Sequence, residues 1–171
     1  MDQARTVFVV NAGVDVGSAL GRGLASRGAR VVLLTDGEAV PPDDVIERIA
    51  CSFASRAALE QAFANAAARV GAPDQVVASV LPLAALQEQA IQAMPHEQWQ
   101  QACRAPMKAL LYVLQAAFTH MGERGGSVVA LGPSLSLAGA PRLAALSAAL
   151  EGQRGFVKSA ARQWGRRGLT V

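Results

Sequence analysis

The sequence predicts an α/β fold, a doubly wound parallel sheet with helices on both faces. Three observations predict it. Short apolar runs rich in β-branched residues alternate along the whole chain with segments of helical periodicity. The strand-like runs are continuously apolar rather than alternating, as strands covered on both faces are. Each is followed by enough chain for a crossover helix, which parallel neighbours require. The 171 residues are enough for one domain, 1–171, with its own core, and no linker, repeat or low-complexity stretch divides them.

The elements follow in order. Thr6 to Val10 is β-branched and aromatic, hence a buried strand; a glycine-bearing turn leads into a helix from Ser18 to Arg27, with Leu20 and Leu24 on one face and Gly28 as its C-cap. Ala29 to Leu34 is the second strand. Pro41-Pro42 excludes a continuous helix in GEAVPPDD, and Ile49 to Phe53 reads as a short third strand. Ser55 to Val70 places Leu59, Phe63, Ala66 and Val70 at helical spacing, Gly71 and Pro73 end it, and Gln75 to Leu81 is the fourth strand. Glu97 to Met121 is helical, with a kink or break expected at Pro106. Ser127 to Leu131 is the fifth strand, Pro141 introduces a helix from Arg142 to about Trp164, and Gly168 to Val171 begins a sixth strand. A chain stopping inside that strand would leave an apolar edge unpaired, so the domain is expected to be C-terminally incomplete.

Composition narrows the function. Hydrophobic residues are 51% and charged residues 17%, against roughly 25% charged in typical soluble domains; mean hydropathy is +0.25. A surface so poor in charge is expected to be partly covered by another subunit. The net charge is +3 and the sequence pI about 9.4, but the basic residues are scattered and aromatics are only 5%. No stacking platform or basic stripe for nucleic acid is visible. Cys51 and Cys103 match neither a disulfide framework nor a C-x-x-C site, and His96 and His120 lack partners at metal-ligand spacing. No metal is expected. The opening MDQARTVFVVNAG has no signal-peptide pattern, and the longest uncharged apolar stretch, Val76 to Leu86, is too short to cross a bilayer. A cytoplasmic protein without membrane contact is expected.

Several strings carry a resemblance across the whole chain: GSALGRGLASRGARVV, ASRAALEQAFANAAARVGAPDQVV, HEQWQQACRAPMKALLYVLQAAFTHM, and GGSVVALGPS followed by GAPRLAALSAALEGQRGFVKSAARQWGRRGLTV. Together they resemble the short-chain dehydrogenase/reductase family, which implies a Rossmann-like fold. The family's cofactor loop, T-G-x-x-x-G-x-G, falls on the string from Val10 to Gly17. Only Gly17 keeps its glycine: Asn11 stands at the first position and Asp15 at the second, with Gly13 between them. A carboxylate at the second position would face the pyrophosphate of a dinucleotide. Two unit charges ~4 Å apart repel by about 4 kcal/mol at an effective dielectric near 20. Asp36 matches the family's ribose-holding acid and argues for NAD over NADP, with a strand-end turn residue as the alternative. Ser52 takes the place of the family's adenine-side Asp.

The resemblance also implies a catalytic set of Ser, Tyr-x-x-x-Lys and Asn. Those positions are occupied by Pro133, Leu146, Leu150 and Pro106. None of these side chains donates, accepts or shuttles a proton. Tyr112, the only tyrosine, has Ala116 four residues on. Ser134 and Ser136 read as turn residues.

The expectation drawn from this likeness is a catalytically inactive subunit, no enzyme as an isolated chain, with no cofactor of its own. It would stabilise a catalytic paralogue of the same family that binds NAD(P) and works on an alcohol or ketone, including an acyl-CoA thioester. Hetero-oligomeric members such as hydroxy(phenyl)methylsuccinyl-CoA dehydrogenase have this arrangement. Contact with the paralogue, or with a second copy, is expected through helices 97–121 and 142–164. Ala144, Ala148, Gly152, Gly155 and Ser159 form a small-residue row on the later helix, and Leu110, Leu114, Ala117 and Phe118 offer apolar surface on the earlier one. The alternatives are a divergent NAD(P)-dependent oxidoreductase and a sensor that binds another ligand in the remnant cleft.

Overall fold

The computed structural model describes residues 4–12, 16–36 and 46–171. Six strands, β1 (Thr6–Asn11), β2 (Arg30–Asp36), β3 (Glu47–Cys51), β4 (Gln75–Ser79), β5 (Gly126–Ala130) and β6 (Leu169–Thr170), form one sheet in the order β3-β2-β1-β4-β5-β6. Every neighbouring pair is parallel. The helices are α1 (Val16–Ala25), α2 (Arg56–Val70), α3 (His96–Trp99), α4 (Ala105–Met121) and α5 (Ala144–Trp164). This is the Rossmann-like α/β arrangement.

Burial follows from the apolar runs. All six residues of β1 are buried. Phe8 and Val10 face a core shared with α2 and α4, where the Phe8 and Phe63 rings meet edge to face at 5.4 Å. Val7 and Val9 point the other way, into a smaller core with Leu20 and Leu24 of α1. Each successive residue of a strand turns to the opposite face, so β1 needs apolar side chains throughout. Helix α2 begins where Ser55 accepts a hydrogen bond from the Ala58 N–H at 3.2 Å, and ends where Gly71 adopts φ +92°.

Two local expectations change. No break occurs at Pro106. A π-helical turn, Gln100–Arg104, joins α3 directly to α4, and the Ala105 N–H reaches back to the Gln100 carbonyl. The wider turn accommodates a residue that has no N–H and whose ring would crowd an α-helical carbonyl. Helix α5 starts at Ala144 rather than Arg142, because Arg142 lies at φ +63°. The bend is tied down by hydrogen bonding from the Gln89 N–H to the Arg142 carbonyl at 2.7 Å and by Arg142 Nε to Glu88 Oε2 at 3.1 Å. The segment Pro41-Pro42, and with it the reading of GEAVPPDD, lies outside the described residues.

The apolar surface expected on α4 is also corrected. Leu110, Leu114 and Ala117 are buried in the chain's own core, since the helix face that covers a sheet takes the largest apolar side chains first. Phe118 is partly buried beside Trp164, ring centroids 5.0 Å apart, with the Arg167 guanidinium 5.1 Å from its ring centroid. Along α5, Ala148, Gly155 and Ser159 are exposed, while Gly152 faces Met107 of α4.

Candidate active site

The strand order reverses between β1 and β4. The crevice beyond the carboxyl ends of the strands at such a switch point is where open parallel sheets bind ligands. There lies a cavity of about 480 Å3, walled by Asp36, Phe53, Val80, Arg104, Pro106 and Lys108 among others. Its walls are mainly apolar, with Asp36, Gln100, Gln101, Arg104 and Lys108 as the polar side chains.

Three of the five cofactor-loop residues singled out in the sequence are described. Asn11, the last residue of β1, is buried, and its side-chain oxygen has no hydrogen-bond partner among the described residues. Its side chain lies against Gly17, where a Cβ would sit 2.5 Å from Asn11 Cβ and 2.6 Å from Cγ. That contact explains why Gly17 is still glycine. Gly13 and Asp15 lie outside the described residues. Asp36 lines the cavity, and its Oδ1 also accepts the Phe53 N–H at 3.0 Å. The strand-end role and the wall role therefore coincide in one residue. Burial, and then the charge of Asp36, push the Cys51 thiol up to about 11.

The family's catalytic positions fall elsewhere. Leu146 and Leu150 share one face of α5 and are 1% and 5% exposed, packed with Ala85, Ala102, Cys103, Ala145 and Ala149. Leu81, Met94, Met107, Leu135 and Leu143, partly buried, pack against the cluster, and Leu150 also borders a cavity of about 290 Å3 with Gly132 and Pro133. Pro133 precedes a short 3-10 turn, Ser134–Leu137. Within that turn Ser136 accepts a hydrogen bond from Arg154 at 3.1 Å. Contacts with Ser136 and Arg154 hold the Glu151 carboxyl below its usual range. The Pro106 carbonyl accepts Gln153 Nε2 at 3.0 Å in a buried bond. Gln153 escaped the sequence reading, and its position one turn beyond Leu150 was the available signal. Arg104 and Lys108 were missed as wall residues for a different reason: their place at the cavity depends on how α4 docks. Among the described residues no three His, Cys, Asp or Glu side chains gather to hold a metal, and no helix is long and apolar enough to cross a membrane.

The profile of the family described as Enoyl-(Acyl carrier protein) reductase matches residues 13–171. The chain belongs to the short-chain dehydrogenase/reductase family. It is similar to the probable galactose dehydrogenase GalD of Rhizobium meliloti (strain 1021), 29% identical over 94% of this chain and 66% of that protein, so the chain spans just under two thirds of that relative. Among solved structures it resembles the short-chain dehydrogenase/reductase from Serratia marcescens BCRC 10948, 22% identical with a TM-score of 0.84, covering 99% of this chain and 72% of the other. A doubly substituted variant from Serratia marcescens is 26% identical with a TM-score of 0.79, covering 98% and 74%. These relatives are named as dehydrogenases and reductases, and that overturns the expectation that the isolated chain is no enzyme. Pro106, Pro133, Leu146 and Leu150 leave the chain without the family's proton relay, but losing one relay does not remove a chain from an oxidoreductase family.

Members of the family normally bind NAD(P). The described residues fit such a dinucleotide at one end. The cavity offers an apolar slot and the Asp36 carboxylate to a nucleoside. Its walls include neither Leu146 nor Leu150, and those two side chains offer a nicotinamide ribose no donor or acceptor.

Proposed function

We propose that the chain is a subunit of an NAD(P)-dependent alcohol dehydrogenase or ketoreductase, assembled with a companion of the same family that supplies the dinucleotide site and the Tyr–Lys proton relay. One observation carries this reading. Leu146 and Leu150 are buried in an apolar cluster and carry no donor or acceptor, so the proton that must accompany hydride transfer comes from a different group. The buried Leu pair, Pro106 and Pro133 then serve packing, and the companion adds the proton relay to the assembly. Contact through the exposed face of α5, with Ala148, Gly155 and Ser159, is the arrangement the small side chains favour, because they allow helices to approach closely. The test is co-expression with a family paralogue carrying an intact Tyr-x-x-x-Lys, followed by native mass spectrometry and ketone-dependent oxidation of NADH and NADPH. A hetero-oligomer whose activity exceeds the sum of its separate parts is expected. Separate species with merely additive activities would overturn the reading.

A second reading is favoured by Asp36 on the cavity wall at the switch point: a divergent NAD(P)-dependent oxidoreductase acting without a companion. Saturable binding of NADH or NADPH to the chain alone, with turnover of a carbonyl substrate, selects it.

A further inference from the structure

The amino ends of the strands carry an open groove of about 730 Å3 with mainly polar walls. The charged side chains on those walls are Arg5, Arg30, Arg124 and Asp74. Hydrogen bonds fix their order. Arg30 Nη2 donates to Thr6 Oγ1 at 3.0 Å, the Thr6 N–H donates to Asp74 Oδ2 at 2.8 Å, and Arg124 Nη2 donates to Asp74 Oδ1 at 2.9 Å. A continuous chain of contacts thus runs from Arg30 through Thr6 and Asp74 to Arg124. The Arg30 N–H in turn donates to the Arg5 carbonyl at 2.8 Å. Both Asp74 oxygens are engaged, and three arginines less one aspartate leave the groove a surplus of two positive charges. Arg5 and Arg30 are exposed and pair with no carboxylate among the described residues. The carbonyl end of α2 accounts for part of the cluster, since Arg124 Nη2 also reaches the Ala72 carbonyl at 3.5 Å. A helix C-terminus presents only about half a negative charge, too little to hold three guanidiniums.

We infer that this groove binds a phosphate group, either the free ion or the phosphate of a small monoester. A dianion matches the surplus charge, and planar guanidiniums present paired N–H donors that fit phosphate oxygens. The volume falls in the range of small-molecule sites. Thr6 and Asp74 have a positioning part. One steadies Arg30 and the other Arg124, so two of the cations are ordered before the anion arrives. The groove is remote from the crevice beside Asp36. The six residues of β1 separate the two ends of the sheet, roughly 17 Å at the usual strand rise. A phosphate held there joins the starts of β1, β2 and β5 through Arg5, Arg30 and Arg124, and so stabilises the folded sheet without entering hydride chemistry. The inference is independent of both readings of the cleft, since none of its residues lines that crevice.

Isothermal titration of the full chain with inorganic phosphate and with phenyl phosphate tests it, at constant ionic strength and at pH 8, where a monoester is dianionic. One-to-one binding is expected, with the two anions competing. Tighter binding of inorganic phosphate assigns the free ion, and tighter binding of phenyl phosphate assigns a monoester. The double variant Arg5→Gln with Arg30→Gln, at exposed positions, is expected to lose at least about tenfold in affinity. Arg5→Gln alone, expected to lose at least about threefold, keeps the test open should the double variant not fold. Lys158→Gln with Arg162→Gln removes the same charge from exposed positions of α5 outside the groove. Its affinity is expected to stay within about twofold, because salt screens distant charges. Three results would overturn the assignment. The first is no saturable binding of either anion up to about 10 mM. The second is an affinity that the groove variants leave unchanged, or that both double variants weaken equally. The third is displacement of the anion by NAD+, which would put it in the crevice beside Asp36. Assembly with a companion is read by mass spectrometry without phosphate, so each proposal can fail alone.

Discussion

Leu146→Lys probes whether the cluster on α5 is dry. Leu146 is 1% exposed and clusters with Ala85, Ala102, Cys103, Ala145, Ala149 and Leu150. Replacing it forfeits part of the roughly 1.5–3 kcal/mol gained by burying a leucine. The larger effect is the ammonium. Burial can depress a lysine pKa by ~3–5 units from about 10.4, which at ~1.36 kcal/mol per unit costs roughly 4–5 kcal/mol at pH 7. The cost stops growing once the buried amine has given up its proton. Together the two effects approach the whole stability of a small domain, about 5–15 kcal/mol. The folded state here binds fewer protons than the unfolded one, so stability rises with pH and the ionic part of the loss disappears above about 10.4. Urea unfolding of Leu146→Lys at pH 7 and pH 10.5 is the assay, with Leu146→Met as the volume-conserving control, expected to lose less than about 1.5 kcal/mol. A variant that folds only at the higher pH supports the argument as well as a measured difference does. A Leu146→Lys protein within about 1 kcal/mol of the parent at both pH values would show that water reaches this position, and the account of a dry cluster would fail.

Other expectations are simpler to check. Gly17→Ala places a Cβ 2.5 Å from Asn11 Cβ and is expected to cost about 1–3 kcal/mol; Asn11→Gly in the same chain should recover much of it, and additive unfolding energies would rule out the contact. Cys51, raised to about 11 by burial and by Asp36, should react slowly with iodoacetamide at pH 8 and faster as pH climbs toward that value, while Asp36→Asn moves the reactive range downward. The unfolded thiol loses its proton first, so this group lowers stability as pH rises from about 8.5 toward the folded value of about 11. Arg142 sits at φ +63° and pairs with an exposed Glu88; Arg142→Gly relieves backbone strain and is expected to be more stable than Arg142→Ala by about 0.5–1 kcal/mol in thermal or urea unfolding.

The order of strands and helices was legible because each strand carries its own apolar run and each helix its own period. Thr6–Asn11, Arg30–Asp36, Gln75–Ser79 and Gly126–Ala130 all fall on stretches whose composition admits little else. The empty chemistry at positions 146 and 150 was equally legible, since it depends only on which side chains the chain has. The meaning given to it was not: the leap from two leucines to a chain that is no enzyme was overturned by the names its relatives carry.

Sequence alone therefore determined what hydrogen-bonding and titrating groups exist and which face of each element is apolar. Tertiary structure decided where those faces went. Leu110, Leu114 and Ala117 read as a surface for a partner until α4 was laid on the sheet and its own core took them. Arg104, Lys108 and Asp36 share no local pattern, and they meet around one cavity only in the folded chain. Helical and strand periodicity are local properties of a chain, whereas a cavity is made by residues 36 and 108 being brought together, and no short-range rule encodes that encounter.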